Sequence, residues 1–151
     1  MQRALIVVDP IDPTKQFIKE AGEIAEATGA ELFLLHVTEE SEYDKTQQAL
    51  NDLNAMEGGN YGVSQAAEGA KQLAEEVGSE VFGSNGPSFE SLGKVGDTST
   101  QVLNVADEYD CDHIFIAGRK RSPSGKAIFG DTAQRVILNS SVPVTVTTYE
   151  G

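Results

Sequence analysis

Cysteine occurs once, at Cys111, so the chain holds no internal disulfide. A chain of 151 residues needs none, because a domain of that size buries roughly 68–70% of its unfolded surface. Long apolar runs are also missing. None approaches the roughly 18 residues of a membrane span, and Ala4–Val8 is too short for a signal-peptide core. No membrane is expected as a partner, and a reducing cytoplasm is the expected setting. Positive charge is scarce, with 11 Lys and Arg against 24 Asp and Glu and a net charge of -13. That balance excludes a general nucleic-acid binder, which needs a basic footprint. It favours solubility at some cost in self-repulsion.

Familiar catalytic signatures are absent too. No GxGxxG fingerprint follows the first apolar run, and no GxSxG nucleophile elbow occurs. Gly118 and Gly125-Lys126 are separated by six residues and followed by Ala127, so the stretch is not a Walker A loop. His36 and His113 lie in apolar runs with no Cys or His cluster, so no metal site is expected. No enzyme is visible.

What remains is a repeated alternation of strand and helix patterns. Ala4–Val8 is apolar without alternation and stops at Asp9-Pro10, as suits a strand covered on both faces. Asp12-Pro13 reads as an N-cap followed by proline at the first helical position. Phe17, Ala21, Ile24, Ala25 and Thr28 then recur at helical spacing until Gly29. Leu32–Val37 is a second strand, completing a βαβ unit. Tyr43, Gln47, Leu50, Leu53 and Met56 share a helical face that Gly58-Gly59 breaks. Val63 to Val81 predicts a longer helix, which Gly69 and Gly78 each weaken by about 1 kcal/mol. Strands follow at Phe89–Val95, His113–Ala117 and Val142–Val146, with helices around Val102–Tyr109 and Val136-Ile137 between them. The expected fold is α/β: an open, five-stranded, mainly parallel sheet with helices on both faces, Rossmann-like, in one domain spanning residues 1–151.

Charge is unevenly placed along this pattern. Arg119, Lys120, Arg121, Lys126 and Arg135 fall within 18 positions opposed only by Asp131, giving +4 there and -17 elsewhere. The segment starts beyond the fourth strand, and ligands of open parallel sheets bind beyond the carboxyl ends of strands. It holds Gly118, Gly125 and Gly130, with Thr132 opening a helix. Glycines let backbone N–H groups approach an anion, and a helix N-terminus favours negative charge. The loop is chemically fit for phosphate.

These residues resemble the universal stress proteins over nearly the whole chain. Val8-Asp9, Gly29-Ala30-Glu31-Leu32 and Leu34-Leu35-His36-Val37 look like that family's opening unit. Gly96-Asp97 and the ending Gly130, helix, Val142-Pro143-Val144 fit as well. The fold implied belongs to the group of adenine nucleotide alpha-hydrolase-like proteins. In ATP-binding members an aspartate ending the first strand and backbone at the end of the second hold the adenine, positions filled here by Asp9 and Val37. The family's phosphate loop is Gly, two residues, Gly, nine residues, Gly, then Ser or Thr. Gly118 and Gly130 match its outer glycines. The loop is one residue shorter here, Arg121 stands at the second glycine, and Asp131 replaces the final hydroxyl. The Arg-Lys-Arg-Ser-Pro version looks like members from salt-loving archaea.

The resemblance implies a regulator that binds ATP or another adenine nucleotide, with Mg²⁺ able to accompany it. Asp9 and Val37 would take the base, and Gly118, Arg119, Arg121, Gly125, Lys126, Gly130, Asp131 and Thr132 would surround the phosphates. It also implies a homodimer through the last strand. The alternative is a homodimeric interaction module that uses the basic loop for an acidic partner or another anion. Plainer roles compete at single residues: Asp131 with Gln134 as a capping box, Asp9 as a strand terminator, Cys111 and His36 as satisfied core residues.

Overall fold

The computed structural model describes residues 1–39, 62–120 and 130–150. The helical face expected between Tyr43 and Met56 lies outside them. In chain order the elements are β1 (Arg3–Val7), α1 (Asp12–Thr28), β2 (Glu31–Glu39), α2 (Val63–Phe82), β3 (Glu90–Gly96), α3 (Thr98–Glu108), β4 (His113–Lys120), α4 (Asp131–Asn139) and β5 (Val144–Glu150).

The strands form one sheet in the order β3-β2-β1-β4-β5, and every pairing is parallel. The continuous apolar runs of β1, β2 and β4 follow from that arrangement, because each is covered on both faces. On one face, Ile18, Ala21 and Ala25 of α1 and Ala74 and Val77 of α2 close over Ala4, Ile6, Leu34 and Phe115. On the other, Val102 and Val105 of α3 and Val136 of α4 close over Leu5, Leu35, Ile114 and Ile116. Successive strand residues thus serve opposite cores, the period of two that a pleated strand imposes.

Several boundaries differ from the sequence expectation. Helix α1 is capped at Ile11, so Asp12 is its first residue and not its N-cap. Asp12 pairs instead with Lys15 at 3.0 Å, a use of its charge that also suits the helix N-terminus. The buried face of α1 is rotated: Ile18 is fully buried, whereas Ile24 is 47% exposed. Gly29 does end α1, at φ +73, where only glycine is unstrained. Gly78 trades helix propensity for packing, since a Cβ there would lie 2.5 Å from both Leu34 Cδ1 and Phe89 Cζ.

Strand β4 runs on to Lys120, because β5 stays paired with it through Lys120 and Glu150. Gly118 and Arg119 therefore sit in the ladder, not in the loop that the sequence suggests. Strand β5 begins after Pro143, whose carbonyl accepts the Ile114 N–H at 3.0 Å, so proline needs to supply no donor inside the strand.

Candidate functional site

Strand order reverses between β1 and β4. From β1 the chain crosses to α1 on one face of the sheet, and the helix after β4 packs on the other. A crevice at the carboxyl ends of the strands results. Pairing of β1 with β2 stops at Val7 and Leu35, while β2 continues to Glu39 against β3 alone. The missing length of β1 leaves a notch beside Val37.

The cleft there has a volume of about 320 Å³, within the usual range for a small-ligand site. Val7 and Asp9 come from the end of β1, and His36, Val37 and Glu39 from β2. Ile116, Ala117, Gly118 and Arg119 come from β4, Gly130–Ala133 from the start of α4, Thr98 from α3 and Tyr149 from β5. Val37 is 5% exposed and its side chain belongs to the core, so the backbone is what it offers a ligand.

Two helices begin at this cleft, and they are finished differently. At α3, Asp97 is the N-cap, accepting from Thr100 N at 3.0 Å, Thr100 Oγ1 at 2.8 Å and Ser99 Oγ at 2.7 Å. Those hydrogen bonds, the one from Ser99 foremost, hold the Asp97 carboxyl below its ordinary range. That helix supplies its own anion. At α4 the N-cap is Gly130, with φ -58, ψ 155 and no side-chain cap among the described residues. Asp131 is thus the first residue of α4, and the capping box expected with Gln134 does not form; the Gln134 N–H goes to Gly130 O at 3.0 Å. Among the described residues no side chain caps α4, and a helix N-terminus of that kind suits an external anion.

The walls carry both signs of charge. Asp9, Glu39, Asp131 and Arg119 all line the cleft. Glu39 Oε1 accepts from Thr98 Oγ1 at 2.7 Å, which ties the end of β2 to the start of α3. Burial pushes the Tyr149 phenol up, the Asp9 carboxylate adds to that, and Arg119 opposes it. His36 Nδ1 lies 2.9 Å from Val8 O and 3.6 Å from Asp9 Oδ1.

Seven of the sequence-predicted residues, Asp9, Val37, Gly118, Arg119, Gly130, Asp131 and Thr132, line this one cleft. Arg121, Gly125 and Lys126 lie outside the described residues. Sequence reasoning did not single out Glu39, Thr98 or Tyr149, and took His36 for a core residue. Glu39 closes β2 at its carboxyl end, the one signal that could have flagged it. Among the described residues, no group of three or more His, Cys, Asp or Glu is placed to hold a metal ion. No described helix is long and apolar enough to cross a membrane.

The doubly wound parallel sheet, with a cleft at its switch point, defines a Rossmann-like α/β fold. The chain belongs to the universal stress protein family, whose model matches residues 1–148. A universal stress protein from Archaeoglobus fulgidus is similar at 25% identity and a TM-score of 0.62, over 97% of this chain and 98% of that one. A universal stress protein in complex with cAMP aligns at 17% identity and a TM-score of 0.61, over 97% and 96%. Another Archaeoglobus fulgidus family member, in complex with dAMP, aligns at 19% and 0.54, over 97% of each chain. No curated protein sequence matches the chain significantly.

Proposed function

We propose that this cleft binds an adenine nucleotide, ATP foremost, and that the protein works as a cytoplasmic nucleotide-responsive regulator and not as an enzyme. The observation that carries this reading is the N-terminus of α4, which no side chain among the described residues caps, set at the switch-point cleft where Asp9 and Val37 flank a notch. Asp9 and the Val37 backbone would hold the base. Gly118, Arg119, Gly130 and Thr132, with Arg121, Gly125 and Lys126 of the loop, would surround the phosphates. The two relatives in complex with cAMP and dAMP support an adenylate as ligand. If Mg²⁺ takes part, Asp131 would share it with the phosphates.

Titration of the purified protein with ATP and Mg²⁺ tests this, and no binding at millimolar nucleotide would sink it. Gly130→Val is the companion variant. Among the described residues, a Cβ at Gly130 meets nothing nearer than Arg119 O at 3.6 Å, so the variant should fold and lose only the ligand. Sustained ATP turnover by the wild type would overturn the regulator reading.

Assembly through β5 belongs to the same proposal. That strand is the edge of the sheet, and Ile137 and Leu138 of α4, which packs against β4 and β5, are 38% and 72% exposed. An edge strand beside an apolar surface is a ready template for a twofold mate. Light scattering showing only monomer at micromolar concentration would count against it.

A further inference from the structure

We propose that His36 is the positioning residue for Asp9, acting through one fixed tautomer; this deepens the nucleotide reading above and rests on it. A carbonyl oxygen only accepts, so the 2.9 Å contact between His36 Nδ1 and Val8 O requires Nδ1 to carry the proton. In the neutral ring Nε2 is then the bare nitrogen. The same Nδ1 is 3.6 Å from Asp9 Oδ1, beyond hydrogen-bond distance, so the ring acts on Asp9 through the Val8 carbonyl that precedes it and through the nearby N–H dipole. The ring therefore ties the β1 exit to β2 at the peptide group that joins Val8 to Asp9.

The surroundings show why a tie is needed there. Asp9 follows the last residues of β1 and its side chain is 48% exposed, whereas that of His36 is 13% exposed. Val8 N–H donates to Leu35 O at 2.8 Å, so Val8 is gripped at its N–H by the β2 backbone and at its carbonyl by the β2 imidazole. On the far side of the turn, Thr14, 2% exposed, shares its hydroxyl proton between Ile11 O at 2.9 Å and Asp9 O at 3.3 Å. The backbone on either side of the Asp9 Cα is thus held, at the Val8 carbonyl by His36 and at the Asp9 carbonyl by Thr14, and Asp9 lines the cleft. A ligand-reading carboxylate gains when its supports are rigid.

Two substitutions separate positioning from packing. His36→Asn keeps an N–H close to the place of Nδ1, and His36→Leu keeps bulk without a donor. ATP affinity should fall about tenfold in His36→Leu, the worth of one hydrogen bond, and stay within about threefold of wild type in His36→Asn. In an Asp9→Ala background the His36→Leu effect should shrink below about twofold, since coupled residues are non-additive. Equal losses in the two His36 variants, or an undiminished loss in the Asp9→Ala background, would overturn the proposal. One arm needs no nucleotide: ¹⁵N resonances of His36 in the free protein should report a protonated Nδ1 and a bare Nε2, and the opposite tautomer ends the idea. If the wild type binds no ATP, the nucleotide reading falls. The positioning claim is then decided by the Asp9 carboxyl carbon resonance, which must move in His36→Leu and stay in His36→Asn.

Discussion

Asp131 opens α4 where the family pattern has a hydroxyl, and it faces the same cleft as Asp9 and Glu39. Two like charges at 4 Å repel by about 4 kcal/mol at an effective dielectric near 20. A helix N-terminus returns only about 0.3–1 kcal/mol to an anion. Asp131→Ser should therefore raise affinity for ATP by about tenfold, one step of 1.4 kcal/mol, and raise it less for AMP, which carries fewer charges. Isothermal titration with both nucleotides checks this; an unchanged ratio would mean that the phosphates do not pass Asp131. Cys111 presents the opposite case, a reactive group type made inert. It is 5% exposed within the core, and burial pushes its thiol up to about 11. The thiolate is the reactive species. A thiol reagent at pH 7.5 should thus label the native protein far more slowly than the urea-unfolded chain, and comparable rates would show that Cys111 is reached from solvent. Its buried character was readable from the sequence because nothing nearby activates it. His36 was harder to read, because an apolar run around a histidine looks the same whether its ring faces a core or the exit of a neighbouring strand.

At the scale of elements, the α3 cap has a measurable weight. Replacing an Asp N-cap by Ala costs about 0.5–2 kcal/mol, and Asp97 also engages Ser99 and Thr100. The folded-state carboxyl lies below its ordinary value of 3.8. Its stabilisation is therefore complete above that pH and lost as pH falls through the lowered value. Asp97→Ala should destabilise by about 1 kcal/mol at pH 7, with the gap to wild type narrowing below pH 4. Urea midpoints at the two pH values test this, and a gap that persists into acid would assign the effect to packing. The elements themselves were legible because buried parallel strands are unbroken apolar runs and helices keep a spacing of three and four. Their ends were less so. Ile11 shows no side-chain cap signal, and the last residues of β4 look like a polar basic loop, because only the partner strand β5 keeps Arg119 and Lys120 extended. The cleft was legible in outline for a related reason. Asp9, Val37 and Gly118 sit at strand ends that the topology must gather, whereas Thr98 and Tyr149 arrive through tertiary packing that no local pattern records.

For the molecule as a whole, the net charge of -13 sets a load that its own ion pairs relieve little. Lys15 bridges Asp12 and Glu80 at 3.0 and 2.9 Å, yet with 24 acidic residues against 11 basic ones most carboxylates have no cation to meet. Exposed pairs contribute only about 0–1 kcal/mol each, so mutual repulsion among the remaining acids is the larger effect. The Debye length falls from about 10 Å at 0.1 M salt to about 3 Å at 1 M. Added salt should then stabilise the fold, moving the urea midpoint upward between 0.1 and 1 M KCl while the slope of the transition stays constant. Salt should act in the opposite sense on the cleft. An anionic ligand drawn to Arg119 and the +4 segment between Gly118 and Arg135 loses that attraction as screening grows, so nucleotide affinity should decline over the same range. Stabilisation by salt should also fade near the isoelectric point of about 4.4, where the repulsion to be screened is gone. A midpoint that does not rise at neutral pH would refute the repulsive load, and one that rises equally at both pH values would locate the effect in salt-driven burial of apolar surface and not in charge.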